Sequence, residues 1–195
     1  MAHAHRTDGL GHLPWTRRVI GVARLNADVA LRRTTLDDLP ALLTLYRSVA
    51  AIPGGLARLA EEVDEAWVGD FLTRSRTTGL SLVAETESEG IVGEIHAFSP
   101  GLFCFSHVLT ELTIAVAPEV QGKGVGRLLF ETFMQDVIEQ QPSISRVELI
   151  SRESNRKAIR FYESLGFRRE GEFVSRIRNI DGSLESDIPM AWTRS

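Results

Sequence analysis

The sequence is poor in several features, and each shortage narrows what the chain can be. It has one cysteine, Cys104, so no internal disulfide can form and a reducing compartment is expected. No run of about 18 apolar residues occurs, which removes a membrane-spanning helix from consideration. No apolar segment followed by a small-residue cleavage site stands near the start, so the expected location is the cytoplasm. Positive charge is also scarce: 22 Lys and Arg against 26 Asp and Glu leave a formal net charge of −4 at pH 7. That balance offers no surplus to attract nucleic acid. Metal-ligand spacing is missing too, since residues 28–195 carry no Cys, His and carboxylate set at such intervals. What remains is an ordinary soluble composition, 43% hydrophobic and 25% charged over 195 residues. It suits one domain, with or without an arm, and can bury a core unaided. A monomer or homodimer is expected.

The start of the chain differs from the rest. Residues 1–27 hold Arg6, Arg17, Arg18 and Arg24 against Asp8, a net +3, so the remainder carries −7 of the overall −4. His3, His5 and His12 also lie there. Residues 1–28 read as a flexible N-terminal extension, and residues 29–195 as the folded domain. Val29 to Arg33 reads as a strand. Asp37 and Pro40 open a helix with Leu39, Leu42, Leu43, Tyr46 and Val49 at helical spacing. Ile52-Pro53-Gly54-Gly55 breaks it. A second helix is expected over about 59–74, with Leu59, Val63, Trp67 and Phe71 on one face. Strands follow at 80–86, 91–96 and 108–117, then a helix at 126–140 with Val125, Leu129, Phe133 and Val137 in one stripe. A strand at 146–150, a helix at 155–165 and strands at 173–178 and 187–192 complete a mixed α/β order.

One loop stands out. Residues 116–126 read Val-Ala-Pro-Glu-Val-Gln-Gly-Lys-Gly-Val-Gly. A strand delivers the chain to Pro118 and a helix begins near Gly124 or Gly126. The glycines uncover backbone N–H groups, and the first N–H groups of a helix lack internal partners. With the helix dipole, this is a site for a pyrophosphate. Lys123 and Arg127 add charge. The loop is neither common nucleotide motif. A Walker A loop needs Ser or Thr where Gly124 stands, and a dinucleotide loop needs Gly where Arg127 stands.

A second motif, residues 155–167, reads Asn-Arg-Lys-Ala-Ile-Arg-Phe-Tyr-Glu-Ser-Leu-Gly-Phe. Taken singly, Asn155 is an N-cap and Tyr162 a core residue. Taken together, the two motifs resemble the GNAT superfamily of acetyl-CoA-dependent N-acyltransferases. Its pattern Gln/Arg-x-x-Gly-x-Gly/Ala is met by Gln121, Gly124 and Gly126, with the lead-in Val116 and Pro118. Its pattern Asn-x-x-Ala-x-x-x-Tyr-x-x-x-Gly-Phe is met by Asn155, Ala158, Tyr162, Gly166 and Phe167. The resemblance covers about 29–192 and leaves the arm unexplained.

The resemblance implies a mixed, mostly antiparallel central sheet with helices on both faces. It also implies that two central strands splay to take CoA. Acetyl-CoA is then the acyl donor. Pantetheine contacts carry over to Ile114, Ala115 and Val116. Pyrophosphate contacts carry over to Gln121, Gly122, Lys123, Gly124, Val125, Gly126 and Arg127, and further cofactor contacts to Asn155, Ala158 and Tyr162. The implied reaction is direct attack of a primary amine on the thioester in a ternary complex. Tyr162 is placed to protonate the leaving thiolate.

No motif fixes a base. Glu111 is the first choice, on the expectation that alternation sets Glu111, Thr113 and Ala115 on one face of the strand. A solvated sheet carboxylate is the plain alternative. Glu94 and His96 come next, then Glu148. Cys104 near His107 reads as packing or loop rather than a nucleophile. Acceptor contacts are expected among Ile52 to Leu56, Phe98 to Phe105 and Arg176 to Asn179. The acceptor itself stays open, whether small amine, amino acid or protein amine. The competing reading is a silent acyl-CoA-binding module of the same fold.

Overall fold

A computed structural model of the chain describes residues 19–24 and 28–194. The strands are β1 (Val19–Arg24), β2 (Asp28–Arg33), β3 (Gly79–Thr86), β4 (Gly90–Phe98), β5 (Val108–Val116), β6 (Arg146–Arg152), β7 (Arg168–Arg169), β8 (Phe173–Arg178) and β9 (Leu184–Thr193). The helices are α1 (Leu39–Ala50), α2 (Glu65–Thr78), α3 (Val125–Gln140) and α4 (Arg156–Ser164). The sheet runs β1-β2-β3-β4-β5-β6-β9-β7, with β8 also on β9. Every pairing is antiparallel except β5 with β6.

Two apolar layers explain why helices cover both faces. Leu129, Phe130, Phe133 and Val137 of α3 pack with Leu82, Ile95, Leu112, Val147 and Ile159. Leu42, Leu45, Tyr46 and Val49 of α1 pack with Val68, Phe71, Val83, Phe98 and Ala115. The inner strands are therefore buried on both sides. Each large side chain taken fully from water contributes roughly 1.5–3 kcal/mol. One buried ion-pair cluster ties the edge of the sheet to α1. The Arg32 guanidinium donates to both Asp38 oxygens at 2.8 and 2.9 Å and to Glu85 at 2.8 Å. This joins β2 and β3 to the turn that leads into α1. Arg32 and Asp38 are only 2% and 3% exposed.

Three local readings need correction. The second helix begins at Glu65, not near 59, because Asp64 caps it by accepting from the Trp67 N–H at 2.8 Å. Leu59 lies outside the helix and is 40% exposed. The N-terminal extension contributes a strand: Val19–Arg24 pairs with β2. The rest of the extension, residues 1–18 and 25–27, lies outside the described residues. A two-residue strand, β7, follows Phe167 where none was expected.

Candidate functional site

The site grows from the one parallel junction. β5 and β6 register Val108 with Arg146 and Leu109 with Val147, and no further pair forms. Beyond that point the β6-facing edge of β5 pairs with no strand. A β-bulge accompanies the opening: the β4–β5 register slips between the pairs His96/Thr113 and Phe98/Thr110. Glu111 takes φ 55, a left-handed backbone uncommon for a residue with a side chain. The Thr113 hydroxyl donates to its carbonyl at 3.0 Å. A bulge of this kind bends its strand and re-aims one side chain.

From Leu112 to Val116 the expected alternation holds, and the bulge alters the ladder only on the Thr110 side of Glu111. Ala115 is buried on the α1–α2 face, while Ile114 and Val116 pack toward the α3 face. Glu111 lies on the same side as Ala115 but at the opening, with its side chain 63% exposed. It lines a cavity of about 510 Å³ on the α1–α2 side of the opening. Other walls come from Leu56, Arg58 and Trp67, from Thr110 to Thr113, from Arg146, Glu148 and Ile150, and from Glu170, Phe173, Pro189 and Met190. Period-two geometry explains the β6 contribution. Val147 and Leu149 enter the α3-side core, so Arg146, Glu148 and Ile150 point the other way.

Three carboxylates line this cavity, and they are held differently. Arg146 donates to Glu148 at 2.5 Å and to Glu170 through both terminal nitrogens, one at 2.9 Å. The hydrogen bonds to Glu170 push the Arg146 guanidinium up and hold the Glu170 carboxyl below its usual range. Among the described residues Glu111 has only Arg74, at 4.0 Å. The other base candidates lie elsewhere. Glu94 is wholly buried, accepting from the Ser81 and Tyr46 hydroxyls at 2.5 Å each, with His96 Nδ1 at 3.0 Å. His96 stacks on Phe71 at 4.0 Å. Burial, then the Glu94 charge and hydrogen bond, push the Tyr46 hydroxyl well above its ordinary value. Neither Glu94 nor His96 lines the cavity.

The glycine loop sits at the other end of β5. Gly122 (φ 75) and Gly124 (φ 92) take left-handed conformations, and α3 starts at Val125. The N–H groups of Gly122, Gly124, Val125, Gly126 and Arg127 donate to nothing among the described residues. Lys123 N–H is used, at 3.3 Å from the Val120 carbonyl. The Gln121 side chain donates to the Val116 carbonyl at 2.9 Å, tying the loop to the end of β5. A Cβ on Gly126 would lie 3.4 Å from a Val116 methyl, an ordinary contact, so packing of α3 on the strand does not itself demand glycine here. Arg127 pairs with Glu131 at 2.9 Å and lies over the Phe161 ring. Five unused donors at a helix start fit a pyrophosphate.

On α4, Asn155 caps the helix, its Oδ1 accepting from the Ala158 N–H at 3.2 Å. Tyr162 lies two turns on, among the rings of Phe130, Phe161 and Phe167 at 5.4, 5.7 and 6.2 Å. Burial pushes its hydroxyl up to about 12. That hydroxyl makes no hydrogen bond among the described residues.

The expected acceptor segments fare unevenly. Leu56 lines the cavity, but no residue of Phe98 to Phe105 or of Arg176 to Asn179 does. Phe98 is buried under Arg74, and Phe103 is 95% exposed. Cys104 is exposed on the same turn. Arg58, Arg146 and Glu170 were missed. Arg58 and Glu170 lie in irregular stretches where spacing assigns no facing, whereas the strand alternation that singled out Glu148 also puts Arg146 beside it. Among the described residues no cluster of three His, Cys, Asp or Glu could hold a metal. No described helix is long and apolar enough to cross a membrane.

Comparison with known proteins agrees with this geometry. The family profile described as acetyltransferase (GNAT) domain matches residues 77–169, which span β5, the glycine loop, α3, β6 and α4. A ribosomal-protein-alanine N-acetyltransferase from Brucella melitensis is similar at 25% identity, over 84% of this chain and 98% of that one, with a TM-score of 0.71. The ribosomal-protein-S18-alanine N-acetyltransferase from Escherichia coli shares the fold at 24% identity, over 86% and 94% of the two chains, with a TM-score of 0.68. A phosphinothricin acetyltransferase from Sinorhizobium meliloti, solved with AcCoA, shares it at 18% identity over 86% and 89%, with a TM-score of 0.74. No curated protein matches at the level of sequence.

Proposed function

We propose that the chain is an acetyl-CoA-dependent acyltransferase of the GNAT type, as the acetyltransferase profile over residues 77–169 supports, and that it transfers the acetyl group to a primary amine by direct attack in a ternary complex. The carrying observation is the opening between β5 and β6, which has an anion-binding helix start at one end and a carboxylate-lined cavity on one face. Bound acetyl-CoA supplies the activated acyl carbon. The N–H groups of Gly122 and Gly124 to Arg127 hold the pyrophosphate, with Lys123 adding charge. Gln121 fixes the loop rather than reaching the ligand, since its amide already serves Val116. The unpaired edge of β5 at Ile114 to Val116 receives the pantetheine amides, as an edge strand receives a peptide. A β5 N–H polarises the thioester carbonyl. Asn155 and Ala158 border the same channel from α4.

Glu111 accepts the proton of the incoming ammonium, directly or through water. It is favoured over Glu148 because Arg146 already engages Glu148 at 2.5 Å, while Glu111 is held only loosely. The amine nitrogen then bonds to the carbonyl carbon, the carbon–sulfur bond breaks as Tyr162 gives its proton to the departing thiolate, and the second proton left on the nitrogen returns through water to the Tyr162 phenolate. At about 12 the phenol is fully protonated at neutral pH and so always carries that proton. The test is thiol release from acetyl-CoA with a panel of primary amines. Glu111→Gln should lower kcat/KM by ~10²-fold or more while acetyl-CoA affinity holds. A wild-type single-turnover rate in Glu111→Gln, with loss in Glu148→Gln, would move the base to Glu148.

A further inference from the structure

Two arginines line the cavity, and their surroundings differ. Arg146 is neutralised by Glu148 and Glu170. Arg58 forms no ion pair among the described residues. Its guanidinium lies over the Trp67 ring, 4.5 Å from the centroid, and one N–H donates to the Glu62 carbonyl at 3.2 Å. Trp67 is itself set edge-on to Tyr46 at 5.0 Å and to Phe71 at 5.2 Å. The cation is therefore held by a rigid aromatic stack, with most of its five donors unspent. A fixed arginine fork with free donors on a cavity wall suits a carboxylate, which it can bind through two parallel hydrogen bonds.

We propose that the acceptor is a free amino acid, or another small amine bearing a carboxylate, whose carboxylate binds Arg58. The inference rests on the N-acetyltransferase reading given above. Charge is divided within the cavity: Glu111 and Glu148 come from the strands that open for the thioester, and Arg58 comes from the α1–α2 connection. A zwitterion matches that division, its ammonium toward the strands and its carboxylate toward Arg58. A sphere of 510 Å³ is about 10 Å across, enough for an amino acid with its side chain. A protein N-terminus would bring a neutral peptide group to Arg58 and leave the cation without compensation as water is excluded.

The test uses the full chain, acetyl-CoA, and the common L-amino acids each beside its own primary amide, with N-terminal peptides as a third arm. The free acid should exceed its amide in kcat/KM by roughly 10- to 100-fold, the range of a charge-assisted hydrogen-bonded contact. Arg58→Gln should bring that ratio close to one by lowering the acid's kcat/KM, and Arg58→Lys should restore part of it. Acetyl-CoA affinity and thermal unfolding of the variants report whether they fold. Equal use of acid and amide by the wild type, preference for peptides, or an unchanged ratio in a folded Arg58→Gln would overturn this inference and leave the N-acetyltransferase reading standing. Thiol release with no amine in any arm would overturn both.

Discussion

Replacing Tyr162 by phenylalanine separates chemistry from packing, because the structure assigns the ring and the hydroxyl different work. The ring touches Phe130, Phe161 and Phe167, and phenylalanine keeps all three contacts. The hydroxyl has no hydrogen-bond partner among the described residues, so its removal strands nothing, and stability at neutral pH should change by about 0.5 kcal/mol or less. Turnover should fall by ~10²-fold, the lower range for a lost general acid, which is about 3 kcal/mol of transition-state stabilisation. The loss should appear in kcat and kcat/KM together, with acetyl-CoA affinity unchanged. Single-turnover rates are the proper readout, since slow product release would mask the chemical step. A second readout comes from alkali. The folded hydroxyl sits at about 12 against 10.0 unperturbed, raised by burial. Its contribution to stability is complete below pH 10 and is lost as pH rises through 12, about 3 kcal/mol in all. Tyr162→Phe should not show that share of the alkaline loss, while the share from Tyr46 stays. A wild-type single-turnover rate in the variant would refute the acid role. An unchanged alkaline profile would refute the burial argument.

Two further outcomes follow from the loop and the buried charges. Gly124→Asp places a side chain at φ 92 and a negative charge beside the free N–H groups of α3, so acetyl-CoA affinity measured by calorimetry should fall by tenfold or more, on the order of the strain and repulsion involved. Undiminished affinity in a folded Gly124→Asp would remove the pyrophosphate from this loop. Arg32→Met leaves the buried Asp38 without its guanidinium and should cost about 3–5 kcal/mol, roughly a 6–20 °C fall in Tm by calorimetry. A fall of a degree or two would mean that the cluster adds little to stability.

The geometry of the glycine loop was legible in the sequence because it is local. Pro118, the glycines and the start of α3 are adjacent, so their joint geometry follows from backbone rules alone. The capped α4 with Asn155 and Tyr162 was legible for the same reason. The carboxylate-lined cavity was not, because its walls come from the α1–α2 connection, β5, β6 and β9, which only the sheet order brings together. Glu111 shows the limit within one strand. Period-two alternation gave its side of the sheet but not the bulge, which gives Glu111 a left-handed backbone and shifts the register of the residues before it. Glu94 shows the converse, since a charged residue in a strand invites a functional reading while three hydrogen bonds hold it inside the core. The second helix was misplaced because the apolar spacing runs through Val63, while the boundary is set by a single Asp64 cap.

The position of β9 has a consequence for biosynthesis. Before β9 emerges from the ribosome, β6 has only two registered neighbours on β5 and an open edge on its other side. The glycine loop, α3 and β5 precede β9 in the chain, so a nascent chain emerges with its loop and α3 while the core they share still lacks Ile188 and Met190. During that interval Val147 and Leu149 lie on an uncovered strand, the kind of segment that chaperones shield and that pairs wrongly with other chains. Arrival of Ile188 to Ala191 closes the edge and supplies Pro189 and Met190 to the cavity in the same step. Completion of the cavity is thus coupled to completion of the chain's long-range pairing, and stalled or clipped products lacking β9 should be substrates for proteolysis.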